Sequence, residues 1–323
     1  MKAWVVRKLC KPQEMDFTDI PVPAPGRGQV LVRVESAALN FLDTLMIRGL
    51  YQVKPPLPFT PGVEVAGTIV KAGADSRFRT GERVLGAIGH GGFAEYVLVD
   101  DIRVVPMPDS MSAVEGSVFS TAYPTSYSAL HYSANMRAGE VVLVHAGAGG
   151  VGLAAIQLAK AWGGKVIATA GGPEKTAICR EHGADLAVDY LSEPWVEKVK
   201  EFTTGLGADI IRDSVGGDVT DLSLKCLAWC GRLLIVGFAG GRIATIPANR
   251  ILLKSASAIG VLWGDRRDRD PELAQATFAD LFSMYGRGDI KPVIYREYPL
   301  ASAPQALLDL GSRRTYGKLV LVP

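Results

Sequence analysis

Histidine and cysteine are scarce, four of each in 323 residues. Cys10, Cys179, Cys226 and Cys230 show no C-x-x-C spacing. That excludes a disulfide framework and a cysteine-rich metal knuckle, and it points to a reducing compartment, here expected to be the cytoplasm. Charge of one sign is missing too: 35 Lys and Arg stand against 33 Asp and Glu, a net charge of +2, so nothing electrostatic draws the chain to nucleic acid. The mixed-sign stretch "GDRRDRDPE" reads as a solvated loop. Long apolar runs are also absent. The uncharged interval from Val141 to Ala159 is barely long enough for a membrane span, and its glycine-rich centre weakens a helix. The opening "MKAWVVRKLCKPQEMDF" lacks the apolar core of a leader peptide and reads as a first strand. Neither internal repeats nor low-complexity tracts are found. The expected partners are small molecules or further copies of the chain.

What the chain does have is length and apolar content. With 48% hydrophobic and 21% charged residues over 323 positions, about two globular domains are expected, since single cores stop growing near roughly 250 to 300 residues. From Glu140 onward strand-like and helix-like segments alternate: "VVLVHA", "KVIATA", "DLAVDY", "ADIIRDS", "GRLLIVGF" and "SASAIGVLW" are six strands with helical crossovers, which predict an α/β doubly wound parallel sheet. The stretch "DVTDLSLKCLAW" is read as one helix, placing Cys226 and Cys230 in it as buried, inert thiols. Before residue 120, "GQVLVRVESAAL", "EVAGTIVKAG", "GERVLGAI" and "FAEYVLV" are parted by Pro- and Gly-rich turns, predicting a mostly antiparallel β domain. The closing "GKLVLVP" is a strand that the six-stranded sheet does not require and is expected to complete the first domain. Residues 1–120 and 262–323 are therefore assigned to one domain and 121–261 to the other, with the ligand expected in the cleft between them.

The densest local signal is "VHAGAGGVGLAAIQLAKAWGG". Gly147, Gly149 and Gly152 give the spacing G-x-G-x-x-G between a β-branched strand and an alanine-rich helix. A dinucleotide diphosphate needs a close approach to backbone N–H groups at the positive end of a helix. On this reading Gly147 lets the strand turn sharply, Gly149 admits the phosphates, Gly150 and Val151 open the helix, and Gly152 lets it pack on the strand. A tight glycine turn without ligand is an equal reading of the bare motif; strand before and helix after favour the nucleotide.

With "PGVEVAG" near residue 61, "GERV" near 81, "GGFAEY" near 91 and "HAGAGGVG" in that order, the chain resembles the medium-chain dehydrogenase/reductase superfamily over essentially its whole length. "ALNFLD", "RGLY", "DSVGG", "VGF" and the final "GKLVL" are similar to its zinc-free quinone oxidoreductase group. The resemblance implies a GroES-like catalytic domain, a Rossmann domain, and NADPH-dependent reduction of quinones or α,β-unsaturated carbonyls. A zinc-dependent relative would place ligands near Asn40 and in a G-H-E motif, because catalytic zinc takes three N, S or O ligands; here Asn40 and Val63 stand at those places, so no metal is implied. Lacking a Lewis acid, reduction of an already activated acceptor becomes the natural chemistry.

An NAD site presents Asp or Glu at the end of the second strand, where this chain has Thr169, Ala170 and Gly171. The missing carboxylate removes repulsion against a 2′-phosphate, and Lys175 offers a positive partner, although an exposed helix-start lysine is an equal reading. The resemblance adds Tyr190 as a phosphate contact, Thr125 facing the nicotinamide, and Lys318 as a further cofactor contact. Gly216, Gly237, Phe238 and Leu262 lie at the ends of strands four, five and six, where the nicotinamide half is expected. For the substrate, Asn40 and Tyr51 are the candidate hydrogen-bond donors to a carbonyl oxygen, Asn40 being equally readable as a helix cap and Tyr51 as a half-buried aromatic. Asp43 and Arg48 are expected to pair structurally, and His90 and His145 to be structural. The alternatives kept open are an enoyl-thioester reductase and a non-enzymatic NADPH-binding protein. The apolar final strand "SASAIGVLWG" is expected to pair with its twin in a homodimer.

Overall fold

The structure, a computed structural model, describes Met1–Pro323. The chain opens with β1 (Lys2–Val5), β2 (Asp16–Asp19) and β3 (Gln29–Ala38), then helix α1 (Phe41–Ile47), followed by β4 (Glu64–Ala72), β5 (Arg83–Ala87), β6 (Tyr96–Asp100), β7 (Val104–Pro106) and helix α2 (Ala113–Tyr127). Strands and helices then alternate through β8 (Val141–Val144), α3 (Gly150–Ala161), β9 (Lys165–Ala170), α4 (Pro173–Glu181), β10 (Leu186–Asp189), α5 (Trp195–Phe202), β11 (Ala208–Asp213), α6 (Asp218–Cys226) and β12 (Leu227–Ile235). The rest comprises α7 (Ala248–Leu252), β13 (Ser257–Gly260), α8 (Trp263–Arg269), α9 (Pro271–Arg287), β14 (Ile294–Pro299), α10 (Ala303–Gly311) and β15 (Lys318–Val322).

Two units result: Met1–Thr121 with Pro292–Pro323, and Ala122–Lys291. In the first, β3 is the hub. It pairs antiparallel with β4, with β6 and with the C-terminal β15, and β15 carries β14 in parallel. The closing strand thus completes the sheet begun at the N-terminus, and the GroES-like unit is mixed and mostly antiparallel. Its core holds Val30, Val32, Val65, Phe93 and Leu319.

The second unit is a parallel sheet in the order β10-β9-β8-β11-β12-β13, the Rossmann arrangement in which the strand order reverses beside β8. Its strands read as continuous apolar runs because helices cover both faces: Val142, Leu143, Val144, Val166, Ile167 and Ala168 are all fully buried. Alanines in α3 keep that helix close to the sheet, with Leu153–Ala159 buried.

Three expectations change. The chain re-enters the first unit at Pro292 and not at 262, because α9 is fastened within the second unit: Tyr127 Oη donates to Asp280 Oδ2 at 2.8 Å, Tyr132 and Thr277 share a hydrogen bond at 3.0 Å, and the Gln157 amide clasps both backbone groups of Lys291. The predicted helix through Cys230 stops at Cys226, since Leu227 pairs with Ala208 of β11 and strand pairing overrides local propensity. Cys226 is buried, which pushes its thiol up to about 12, whereas Cys230 is exposed and left-handed, with φ 56°. Finally, Asp43 and Arg48 do not pair: Asp43 is buried in α1 and Arg48 is exposed at its end.

Candidate cofactor and active sites

In the second unit, β8 runs into the glycine turn. The left-handed residue of that turn is Ala146, with φ 51°, and none of the motif glycines has a positive φ. Gly147 is small for clearance instead, a correction to its expected turning role: a Cβ there would stand 2.8 Å from Ala168 Cβ. Gly152 is held tighter still, its Cβ position lying 2.3 Å from the Ala146 carbonyl oxygen. Gly149, the N-cap of α3, differs from both. A Cβ there would meet only the Ala146 oxygen, at 3.4 Å, so the space above it is kept open. No side chain caps α3, leaving the first-turn N–H groups of Gly150, Val151 and Gly152 to a partner from outside the fold.

At the end of β9, Thr169 turns inward, its hydroxyl 2.9 Å from His145 Nδ1. Beyond it a Cβ on Gly171 would lie 2.9 Å from Tyr190 Oη, so this glycine and this tyrosine are brought together. Gly172 N–H donates to Asp189 Oδ1 at 2.8 Å, a backbone bond that holds the carboxyl of Asp189 below its usual range. Lys175 lies in the first turn of α4, and partial burial lowers its ammonium.

The other half of the edge is built by two loops. Asp213 accepts from Val215 N–H, Gly216 N–H and Thr220 Oγ1 at 2.7, 3.0 and 2.5 Å, setting the loop after β11. A Cβ on Gly216 would stand 2.9 Å from Phe238, and Ala239 and Gly240 N–H bond back to Ser214 and Val215. Gly216, Gly237 and Phe238 therefore meet, while Leu262, the N-cap of α8, is 63% exposed. Thr125 sits half-buried in α2 beside Ser126, whose hydroxyl donates to the Val151 carbonyl at 2.8 Å. His145 is sealed in: Nε2 and Ser223 Oγ lie 2.9 Å apart, Trp195 packs edge-on, and burial pushes its pKa down to about 4. At neutral pH it is an uncharged spacer. Burial lowers His90 as well.

In the first unit, Asn40 caps α1, and its side chain turns to a buried charge pair. Lys318 Nζ donates to Asn40 Oδ1 at 2.7 Å and to Glu64 Oε2 at 2.9 Å; Asn40 Nδ2 donates to the same Glu64 oxygen at 2.9 Å and to the Ala38 carbonyl at 3.4 Å. Glu64 Oε1 accepts from Thr121 N–H at 2.7 Å and Ser120 Oγ at 3.2 Å. Both amide protons of Asn40 are thus directed at protein acceptors, not outward at a substrate oxygen, and the ammonium of Lys318 faces Glu64. Sequence reasoning assigned Glu64 no role. Its signal was an acid inside the apolar run "GVEVAG". Tyr51 is partly buried against the core of this unit.

Asp43 Oδ2 accepts from Asn40 N–H at 2.7 Å, and the backbone N–H of Gly62 pulls on the same buried carboxyl. Burial pushes its pKa up to about 7, against the lowering pull of the Asn40 N–H and of Lys318. The folded chain then keeps this proton up to pH 7, whereas an unfolded one releases it near about pH 4. Stability from this group is full below about pH 4 and is lost as pH rises through the folded value. Asp43→Asn cannot ionise and still accepts from Asn40 N–H, so its melting temperature is expected to fall less than that of the wild type between about pH 5 and 8. Parallel pH profiles of the two proteins would refute the assignment.

The alcohol dehydrogenase GroES-like domain family matches residues 26–109, and the zinc-binding dehydrogenase family matches residues 150–279. No group of three or more His, Cys, Asp or Glu is gathered to hold a metal. A quinone oxidoreductase-like protein 2 homolog of Nematostella vectensis is 40% identical over 92% of this chain and 82% of its own. The quinone oxidoreductase of Pseudomonas aeruginosa is 36% identical over 97% of this chain and 96% of its own. Among solved structures, Escherichia coli quinone oxidoreductase complexed with NADPH superposes with a TM-score of 0.93 at 28% identity, covering 100% of both chains. With both domains matched in order and the likeness spanning nearly the whole length, the chain is a quinone oxidoreductase-like member of the medium-chain dehydrogenase/reductase superfamily.

Proposed function

We propose that the chain is an NADPH-dependent reductase that passes a hydride to a quinone or an α,β-unsaturated carbonyl without a metal. The observation that carries this reading is the clearance above Gly149, over an uncapped helix start, on an edge whose second strand ends at Ala170 and is followed by Gly171, with no acid at either. That fits a diphosphate and leaves room for a 2′-phosphate. Gly147 to Gly152 would cradle the diphosphate, Gly171, Lys175 and Tyr190 the 2′-phosphate, and Thr125, Gly216, Gly237, Phe238 and Leu262 the nicotinamide half. When bound, NADPH supplies a hydride from its nicotinamide C4. Tyr51 is the assigned donor to the developing oxyanion. Asn40, its amide protons committed to Glu64 and Ala38, positions the buried pair.

The test is to follow the absorbance of reduced cofactor with quinones, enones and enoyl thioesters. Turnover of quinones or enones is expected. Turnover confined to enoyl thioesters would reassign the enzyme, and binding without any turnover would make it a binding protein. Lys175→Ala is expected to raise KM for NADPH by about five- to thirty-fold, the loss of one charge-assisted phosphate contact, and to spare KM for NADH. Equal damage to both would remove Lys175 from the 2′-phosphate site.

A homodimer belongs to the same proposal. β13 is an edge strand with Ser257, Ala258 and Gly260 exposed, and Leu252, Leu253 and Leu262 stand exposed in the same unit. An open apolar edge favours pairing; sedimentation as a monomer at micromolar concentration would exclude it.

A further inference from the structure

The segment between β12 and α7, residues 236–247, is neither helix nor strand, yet it is fastened to the loop after β11. Ala239 N–H donates to the Ser214 carbonyl at 3.0 Å and Gly240 N–H to the Val215 carbonyl at 2.8 Å. Glycines allow the close approach: a Cβ on Gly240 would stand 2.9 Å from the Val215 carbonyl oxygen, and one on Gly216 would stand 3.0 Å from that of Arg242. Arg242 then closes the join. Its Cβ and Nε lie 3.2 and 3.3 Å from the place a Cβ on Gly217 would take, and its Nη2 donates to Asp218 Oδ1 at 2.7 Å and to Asp221 Oδ2 at 2.5 Å. Both carboxylates stand in the first turn of α6, so one guanidinium grips that helix start from the facing loop. Such a bridge adds little to stability, because the Arg242 and Asp218 side chains are 49% and 91% exposed and exposed ion pairs are weak. What it can do is hold a loop in one place. The part of the segment nearest β12 is Gly237 and Phe238, with Phe238 Cδ1 2.9 Å from the Cβ position of Gly216, at the carboxyl edge of the sheet where ligands lie.

We infer that Arg242 is a positioning residue for hydride transfer: clamped to Asp218 and Asp221, it keeps Gly237 and Phe238 seated on the loop after β11 without itself touching the cofactor. The inference rests on the cofactor reading above and adds to it three charged residues that the glycine and loop motifs do not contain. Its action is mechanical. A hydride passes only over a short distance, so a nicotinamide wall free to shift by about 1 Å lowers the rate while the rest of the dinucleotide stays bound. The adenosine half is assigned to Gly171, Lys175 and Tyr190, on the other side of β8, and is untouched by the clamp.

Steady-state kinetics with a benzoquinone or an enone as acceptor, together with calorimetric titration of adenosine 2′-monophosphate, test this. The proteins compared are wild type, Arg242→Ala, Arg242→Lys, the double variant Asp218→Asn, Asp221→Asn, and the triple variant that adds Arg242→Ala to it. Arg242→Ala is expected to lower kcat by about three- to thirty-fold with NADPH and NADH alike, while KM changes by less than about three-fold. Arg242→Lys should keep most of the rate. The double variant should lose as much as Arg242→Ala, and the triple variant no more than either, because the three residues act as one clamp. Adenosine 2′-monophosphate should bind all of them alike, and their melting temperatures should agree within a few degrees. Unchanged kcat in Arg242→Ala would overturn the inference, reducing the clamp to a surface ion pair. A fully active double variant beside an impaired Arg242→Ala would overturn it as well, making Arg242 a direct ligand contact. So would weakened binding of adenosine 2′-monophosphate or a large fall in melting temperature, either of which makes the effect a general loss of structure. Wild type that oxidises NADPH with no acceptor of either kind would overturn the reductase reading itself, and the positioning role with it.

Discussion

Replacing Tyr51 by Phe is expected to lower kcat for enones by about ten- to a thousand-fold and to affect quinones less. Hydride addition to the far carbon of an enone builds negative charge on the carbonyl oxygen, and a donor aimed there stabilises the transition state more than the ground state. Tyr51 is partly buried against the core of the first unit, and Phe keeps the ring and with it most of the packing. A reduced quinone is a stabilised anion that can take its proton from solvent, so positioning alone carries more of that reaction. Paired kinetics on one enone and one quinone, with melting temperatures, check the expectation. Unaltered kinetics on both, at unaltered stability, would make Tyr51 only a wall.

Lys318→Met is expected to cost about 3 to 5 kcal/mol of stability, the usual effect of removing one partner from a buried ion pair. Glu64 is fully buried and Lys318 is 7% exposed. Without the ammonium, the carboxylate keeps only the neutral donors Asn40, Ser120 and Thr121. Exposed pairs set the contrast: Lys160 and Asp185, with side chains 36% and 35% exposed at 2.8 Å, are worth up to about 1 kcal/mol. The double variant Glu64→Gln, Lys318→Met should recover most of the loss, because the stranded charge is gone as well. Calorimetry of the single and double variants decides the matter. A single variant within about 1 kcal/mol of wild type would mean that the pair is no stronger than a surface one.

The legible parts of this protein are the periodic ones. Six apolar strands with crossover helices read directly, as does the turn from Val144 to Gly152, because burial on both faces of a parallel sheet and clearance beside a helix start leave local marks in composition. Less legible was anything set by pairing at long range. Cys230 looked helical until β11 drew Leu227 into the sheet. Residues 262–291 looked like the return to the first unit until Tyr127, Tyr132 and Gln157 fastened them to the second.

The sequence by itself determined the architecture, the glycine turn and the missing acid at the end of the second strand, all of which depend on residue types at short fixed spacing. Tertiary structure alone decided what the charged residues do. Lys318 stands 278 positions from Asn40 and 254 from Glu64, and it meets them because β15 closes on β3. Arg212 reads as an ordinary arginine until strand register seals it, and burial then lowers its guanidinium against the raising pull of Asp213. An isolated motif cannot reveal either, because the energy of a charge is set by its burial and its partners, and those follow from strand register rather than from neighbours in the chain.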